Sequence, residues 1–193
     1  MTVEEIKKEL RKNLTEQSLE FAIESGVFKE EVLHYFATDC LERTFQESYK
    51  PIEETDLRFI LLRTKREWLK KERTDEELEQ AVEAIRVISK TLGDTTAIHA
   101  GDKEPLWAAK RAAYWSAYSI GASTSTWSKL WHRERAWQCK RLAWWLELSE
   151  ITEDFSNAYQ SDDKNPLPPP KEASLDFPLL PSFEEEQQSK KKR

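Results

Sequence analysis

The sequence is poor in glycine, cysteine and histidine, and each shortage excludes a class of protein. Four glycines in 193 residues cannot supply the frequent tight turns of a β-sandwich or a β-barrel. They lie far apart, so the chain has no glycine-rich phosphate-binding loop of the GxGxxG kind. Two cysteines are too few for a disulfide framework, and we expect Cys40 and Cys139 to be buried thiols.

Metal-binding and membrane-directing patterns are also missing. The three histidines stand alone in the sequence without a second ligand at metal spacing, so we expect no metal site and no cofactor. No apolar stretch approaches the roughly 20 residues that cross a bilayer, and the charged N-terminus lacks the apolar core of a signal peptide. The sequence therefore predicts a cytoplasmic protein without a membrane span.

Helical periodicity dominates the first 160 residues. The capping-box pairs Thr2–Glu5 and Thr74–Glu77 predict two helix starts. Apolar residues at spacings of three and four predict further helices, over residues 14–24, 29–49, 54–73 and 127–149. The prediction is a single all-α, bundle-like domain of six to eight helices, residues 1–160.

Three details of this helical domain are open to test. Residues 93–105 are predicted to form a loop, in which Gly93 ends the preceding helix and Pro105 opens the next one. Gly121 and the polar run after it are expected to interrupt that next helix. A short last helix is predicted over residues 150–159.

Residues 161–193 differ in composition from the rest of the chain. Six of the eight prolines fall between residues 166 and 181, among serines and charges, which predicts a disordered tail. An apolar motif, LDFPLLPSF at residues 175–183, is too small to form a core of its own. Docking of this motif on the domain or on a partner, and absence of a function, both stay open. Its candidate contact residues are Phe177, Leu179, Leu180 and Phe183.

Charge and tryptophan are concentrated in one segment. Seven of the eight tryptophans lie between Trp107 and Trp145, and residues 107–147 carry a net charge of +5, whereas residues 1–106 carry −7. One interpretation is that the tryptophans and arginine stems pack against the acidic first half of the chain. The other is that they form a binding surface, because tryptophan and arginine are enriched in interface hot spots.

The function predicted from this segment is non-catalytic protein binding through a basic, aromatic helical face, with an acidic protein as one candidate partner. Its candidate contact residues are Trp127, Trp131, Arg135, Trp144 and Trp145. The alternative is nucleic-acid binding through residues 107–147, which the overall charge of −6 disfavours. An enzyme would need a cleft that brings together Asp39, His34 and His132.

Two groups of motifs, taken in order, resemble a known family. The first is A-T-D-C-L-E-R at Ala37–Arg43, followed by Trp68 and by D-E-E-L-E-x-A at Asp75–Ala81. The second is AAKRAAYWSAYS, followed by E-R-A-W-Q-C-K-R-L at Glu134–Leu142. Together they resemble an all-helical bacterial family of immunity proteins, in the style of polymorphic-toxin immunity domains, over residues 32–148.

The resemblance implies a non-enzymatic helical binder that neutralises a toxin or assembles a complex. It also implies that the matching residues form the polar centre of the fold, with Arg43 and Gln138 donating hydrogen bonds between helices. These residues are Asp39, Cys40, Glu42, Arg43, Trp68, Arg135, Trp137 and Gln138.

Overall fold

The computed structural model describes residues 2–47, 55–122 and 127–151, without the side chains of residues 46, 127, 128 and 151. The described residues form eight helices and no strand, which confirms the all-α prediction. The helices are α1 (Val3–Lys12), α2 (Glu16–Glu24), α3 (Glu30–Gln46), α4 (Leu57–Leu69), α5 (Asp75–Ile88), α6 (Leu92–Ala100), α7 (Pro105–Ala122) and α8 (Trp127–Ile151).

By its contacts the chain divides into two units, Met1–Gln160 and Ser161–Arg193, and the description concerns the first. The predicted tail and most of the predicted helix at 150–159 lie outside the described residues. No helix among the described residues is long and apolar enough to cross a bilayer.

Several helix starts follow the capping signals in the sequence. The hydroxyls of Thr2 and Thr74 each accept the backbone N–H three residues on, and both capping boxes are complete. Pro105 is the first residue of α7, as predicted. The cap of α2 is Thr15, whose hydroxyl accepts the Ser18 N–H, so α2 starts two residues later than predicted.

The predicted loop at residues 93–105 is wrong, because α6 occupies Leu92–Ala100. Its cap is Thr91, which forms a capping box with Asp94, and Gly93 therefore lies inside the first turn of α6 and does not end α5. The helix is stabilised by packing, since Thr96, Ala97 and Ala100 are buried against its neighbours.

Two other predicted boundaries also change. Helix α4 ends at Leu69, short of the predicted residue 73, because Lys71 adopts a left-handed conformation with φ of 61° that a helix cannot continue. Helix α7 continues through Gly121 to Ala122, so the expected interruption at Gly121 is absent, and residues 123–126 lie outside the described residues.

Helix α3 forms the centre of the domain. All residues from Val32 to Leu41 are buried, and α3 contacts α4, α6, α7 and α8. Helix α7 approaches α3 and α6 with a stripe of small residues, Ala108, Ala109, Ala112, Ala113, Ser116 and Ala117. Small side chains let helix backbones pack closely, so α7 packs against α3 and α6 along this stripe. The large aromatic side chains of α7 lie on its other sides.

Candidate functional site

A charged centre where α8 packs on α3 contains four of the eight residues that the family resemblance matched. It consists of Asp39, Arg43, Glu134, Arg135, Gln138 and Arg141. Asp39 Oδ2 accepts hydrogen bonds from Arg141 Nε and from Trp145 Nε1, each at 2.6 Å. The side chains of Asp39 and Arg141 are each 2% exposed. Because a buried carboxylate needs partners to offset its lost hydration, these contacts fix the register of α8 on α3.

Gln138 and Arg135 connect α8 to two further helices. Gln138 Nε2 donates to the Ala113 carbonyl of α7 at 2.9 Å, and Gln138 Oε1 accepts from Arg135 Nη1 at 3.0 Å. Arg135 Nη2 also forms an ion pair with Glu16 of α2 at 2.9 Å. The pair of side chains therefore joins α2, α7 and α8 in one hydrogen-bonded chain.

Within the charged centre, Arg43 also connects α3 to α8. Its Nε donates to Glu134 Oε2 at 3.3 Å, its Nη2 pairs with Glu47 at 2.8 Å, and its guanidinium lies 5.4 Å from the centroid of the Trp137 ring. Glu47 also pairs with Arg133 at 2.9 Å. Complete burial raises the pKa of Glu134, and the Arg43 charge opposes that rise.

Glu42 and Trp68 belong to a separate contact region between α3 and α4. Glu42 pairs with Arg66 at 2.7 Å, while Trp68 Nε1 donates to Asp75 Oδ1 of α5 at 2.8 Å. The Lys65 ammonium lies 4.1 Å from the centroid of the Trp68 ring. The residues matched by the family resemblance thus divide into two groups in space, one against α8 and one against α4.

Lys65 and His34 are buried beside Trp68. Lys65 Nζ donates to the Asp102 carbonyl at 2.8 Å, and the His34 ring meets the Trp68 ring edge-on with centroids 5.1 Å apart. Burial lowers the pKa of Lys65 to about 7, and burial together with the Lys65 charge lowers the pKa of His34 to about 3. Lys65 therefore anchors the turn after α6 to α4.

The thiols and histidines do not form a nucleophilic site in the described residues. Burial, with the nearby Glu134 and Asp39 charges, raises the pKa of Cys40 well above its ordinary value, and burial raises that of Cys139 to about 12. Both thiols are therefore protonated at neutral pH. His132 is exposed, whereas His34 and Asp39 are buried against different neighbours. No group of three potential metal ligands occurs in the described residues.

Within the tryptophan segment Trp131, Arg135 and Trp145 are buried, which corrects the expected surface role of these three residues. Trp145 is fully buried with its indole N–H on Asp39, and Arg135 is held by Glu16 and Gln138. Trp131 is buried against Arg135, whose guanidinium lies 4.5 Å from the ring centroid.

Trp144 is only half-buried, 4.2 Å from the Arg141 guanidinium. The remaining candidates lie outside the described residues or side chains: Trp127, Phe177, Leu179, Leu180 and Phe183.

The arginines of α8 are engaged by the acidic first half of the chain. Arg133 pairs with Glu47, and the ion pairs of Arg135 and Arg141 reach α2 and α3. These contacts correspond to the packing interpretation of the basic segment. These three arginines are therefore engaged within the domain and are not available to an acidic partner.

Two of the three exposed aromatic residues among the described residues, Trp107 and Tyr114, lie on α7, and the third, Phe21, lies on α2. We call Trp107, Lys110, Arg111 and Tyr114 the α7 outer face. Trp107 is 48% exposed and Tyr114 is 39% exposed, and they share one side of the helix because they are seven residues apart. The Arg111 guanidinium lies 4.6 Å from the centroid of the Trp107 ring, and Lys110 forms an ion pair with Glu24 of α2.

The sequence contained a signal for this face that our prediction missed. The alanines of α7 form one stripe, and Trp107 and Tyr114 are spaced so that they lie on the opposite side of the helix. Beside the face lies a groove of about 710 Å³, lined by α5, α6 and the turn after α6, which shares Arg111 with the α7 outer face.

Comparisons of the chain with protein-family models, with curated proteins and with solved structures found no match. The resemblance to immunity proteins therefore stays a prediction from the motifs. A function has to be argued from the surfaces that the fold presents.

Proposed function

We propose that this chain is a non-catalytic protein-binding domain that contacts its partner through the α7 outer face. The observation that carries the proposal is the exposure of Trp107 and Tyr114 on one side of a single helix. Aromatic residues beside arginine are the side chains that most often contribute binding energy in protein interfaces. Large apolar side chains grouped on a surface are typical of interaction sites.

The packing of α7 suits such a role. The opposite side of the helix is the alanine stripe, buried against α3 and α6, so the outer face is presented by a well-packed scaffold. Arg111 is already placed over the Trp107 ring. A surface whose side chains are placed before binding loses less conformational entropy when a partner docks.

The state of the two thiols agrees with a binding role. Cys40 and Cys139 are buried and protonated. The ion pairs of the charged centre connect packed helices. Within the binding class, the motif resemblance favours neutralisation of a toxin by occlusion. Assembly of a larger complex is the alternative role, and the two differ in whether the captured partner is itself a toxin.

The proposal is tested by placing a photo-activated cross-linking residue at Trp107 in the full chain, expressed in its native host. The matched control carries the same residue at Lys8, which is exposed on α1. We expect a specific protein to cross-link from position 107 and not from position 8. Its identity then distinguishes a toxin from a component of a complex.

Two double variants test whether the aromatic rings carry the binding. Trp107→Ala with Tyr114→Ala should reduce cross-linked or co-purified partner at least about tenfold, in line with the loss of one or two hot-spot residues. Trp107→Phe with Tyr114→Phe keeps apolar rings and should retain most of the partner. Equal capture by both variants, at equal melting temperatures, would show that the α7 outer face does not bind the partner.

A further inference from the structure

The groove beside the α7 outer face has a defined construction. Helix α5 supplies Glu76, Glu79 and Glu83, which are spaced so that they lie along one side of the helix. The apolar part of the lining is Val82, Ile98 and Gly101. A side chain on Gly101 would collide with Val82, because the turn after α6 passes very close to α5 at Gly101.

The groove has an acidic side. Helix α5 carries five carboxylates and one arginine. Two of the three cations in the lining are already held by those carboxylates, since Lys103 pairs with Glu79 and Arg86 pairs with Glu83. Such exposed ion pairs contribute little to stability, so a cation brought by a partner can replace them at low cost.

The charges outside the groove also favour a positively charged occupant. The arginines of α8 that are buried or half-buried are paired with α2 and α3, as described above. Within the described residues Glu76 has no ion-pair partner, and the whole chain carries −6. The groove lining carries four carboxylates, Glu76, Glu79, Glu83 and Asp102, against three cations, Arg86, Lys103 and Arg111, and this negative excess favours a cationic occupant.

Apolar surface continues from the acidic side of the groove. Val87 is 76% exposed and lies one turn beyond Glu83, on the same side of α5, and the next residue, Ile88, is 51% exposed. An occupant that carried only charge would leave these side chains and the apolar lining in water. An occupant with both positive and apolar side chains would cover both.

We infer that the groove binds a basic, amphipathic segment of the partner protein, with lysine or arginine side chains facing Glu76, Glu79 and Glu83 and apolar side chains facing Val82, Ile98 and Val87. This inference rests on the proposed protein-binding function and specifies the chemistry of the partner. It differs from the acidic partner that the sequence suggested as one candidate.

The test uses the full chain, labelled with ¹⁵N, and two synthetic peptides of about 14 residues, the length of α5. One peptide carries lysines and leucines on opposite sides of a helix, and in the other every lysine is replaced by glutamate. We expect the lysine peptide to shift the amide resonances of Val82, Ile98 and Gly101. The glutamate peptide should leave them unchanged.

Two triple variants with the same change in net charge separate the groove from a general attraction. The groove variant is Glu76→Gln, Glu79→Gln and Glu83→Gln. The control variant changes three exposed glutamates that do not line the groove, Glu20→Gln, Glu30→Gln and Glu72→Gln. The groove variant should weaken binding of the lysine peptide at least about fivefold, and the control variant less than about twofold.

The inference is overturned if both variants weaken binding equally, if the shifted amides lie elsewhere, or if the lysine peptide does not bind. Cross-linking at Trp107 reports on the proposed function separately. A partner captured at Trp107 without binding of the lysine peptide refutes only the basic chemistry of the occupant. Peptide binding in the groove without a partner captured at Trp107 refutes only the role of the α7 outer face.

Discussion

At the scale of single residues, the Asp39–Arg141 pair is the contact on which the packing of α8 most depends. Asp39→Ala leaves the Arg141 guanidinium and the Trp145 indole N–H buried without their acceptor. We expect the free energy of unfolding to fall by about 3–5 kcal/mol, as for other broken buried ion pairs. Asp39→Leu combined with Arg141→Met should recover a large part of that loss. The measurement is equilibrium unfolding in urea.

The exposed ion pair of Arg11 with Glu147 is the matched control for that prediction. Arg11→Ala should cost at most about 1 kcal/mol, because water screens exposed pairs. If Asp39→Ala costs no more than Arg11→Ala, the charged centre does not stabilise the domain in the way described.

Lys65 gives the domain a specific dependence on pH. Its pKa is about 7 in the folded chain and has its ordinary value of 10.5 in the unfolded chain, so the unfolded chain holds more protons between these limits. The contribution of Lys65 to stability therefore rises with pH from about 7 to 10.5. Lys65→Met should remove this rise. The groups that face Lys65 are His34, Trp68, Asp75 and Asp102.

The measurement is the difference in unfolding free energy between wild type and Lys65→Met across that pH range, in the presence of a reductant. Titration of the thiols affects both proteins alike and cancels in the difference. Parallel curves for wild type and Lys65→Met would contradict the burial of a neutral amine.

At the scale of helices, local capping signals were readable from the sequence and packing was not. Thr2, Thr74 and Pro105 marked helix starts because their effect is confined to one turn. Helix α6 was missed although Thr91 and Asp94 form the same capping box, because Gly93 was taken as the end of α5. Its buried residues are small or polar, so its sequence has no apolar stripe that would indicate a helix.

The candidate site shows the same difference between local signals, which the sequence contains, and packing, which it does not. The motif at residues 37–43 indicated polar contacts between helices, because a charge in an otherwise apolar helix needs a partner, and Asp39 contacts Arg141 and Arg43 contacts Glu134. For α8, which aromatic residues face water could not be read from the helix alone. Trp145 is buried and Trp107 exposed because α3 supplies Asp39 to the first, whereas the alanine stripe of α7 turns the second outward.

At the scale of the whole molecule, the arrangement of charge bears on whether the partner is a protein or a nucleic acid. The segment 107–147 has a net charge of +5, yet Arg133, Arg135 and Arg141 form ion pairs inside the domain. A phosphate backbone would have to break these pairs to use the same arginines. Association with nucleic acid depends on cations that are free to replace counterions, and paired arginines are not.

We therefore predict that the helical domain does not bind nucleic acid through α8. Residues 190–193 are all basic and can also bind heparin. Variants are therefore needed that distinguish retention through these four residues from retention through α8. Any retention should disappear when these four residues are replaced by serine, and should not change with Lys129→Gln and Arg133→Gln. If retention instead survives the serine replacement, falls with the α8 substitutions and weakens steeply between about 0.05 and 0.2 M salt, nucleic-acid binding through residues 107–147 is the correct function.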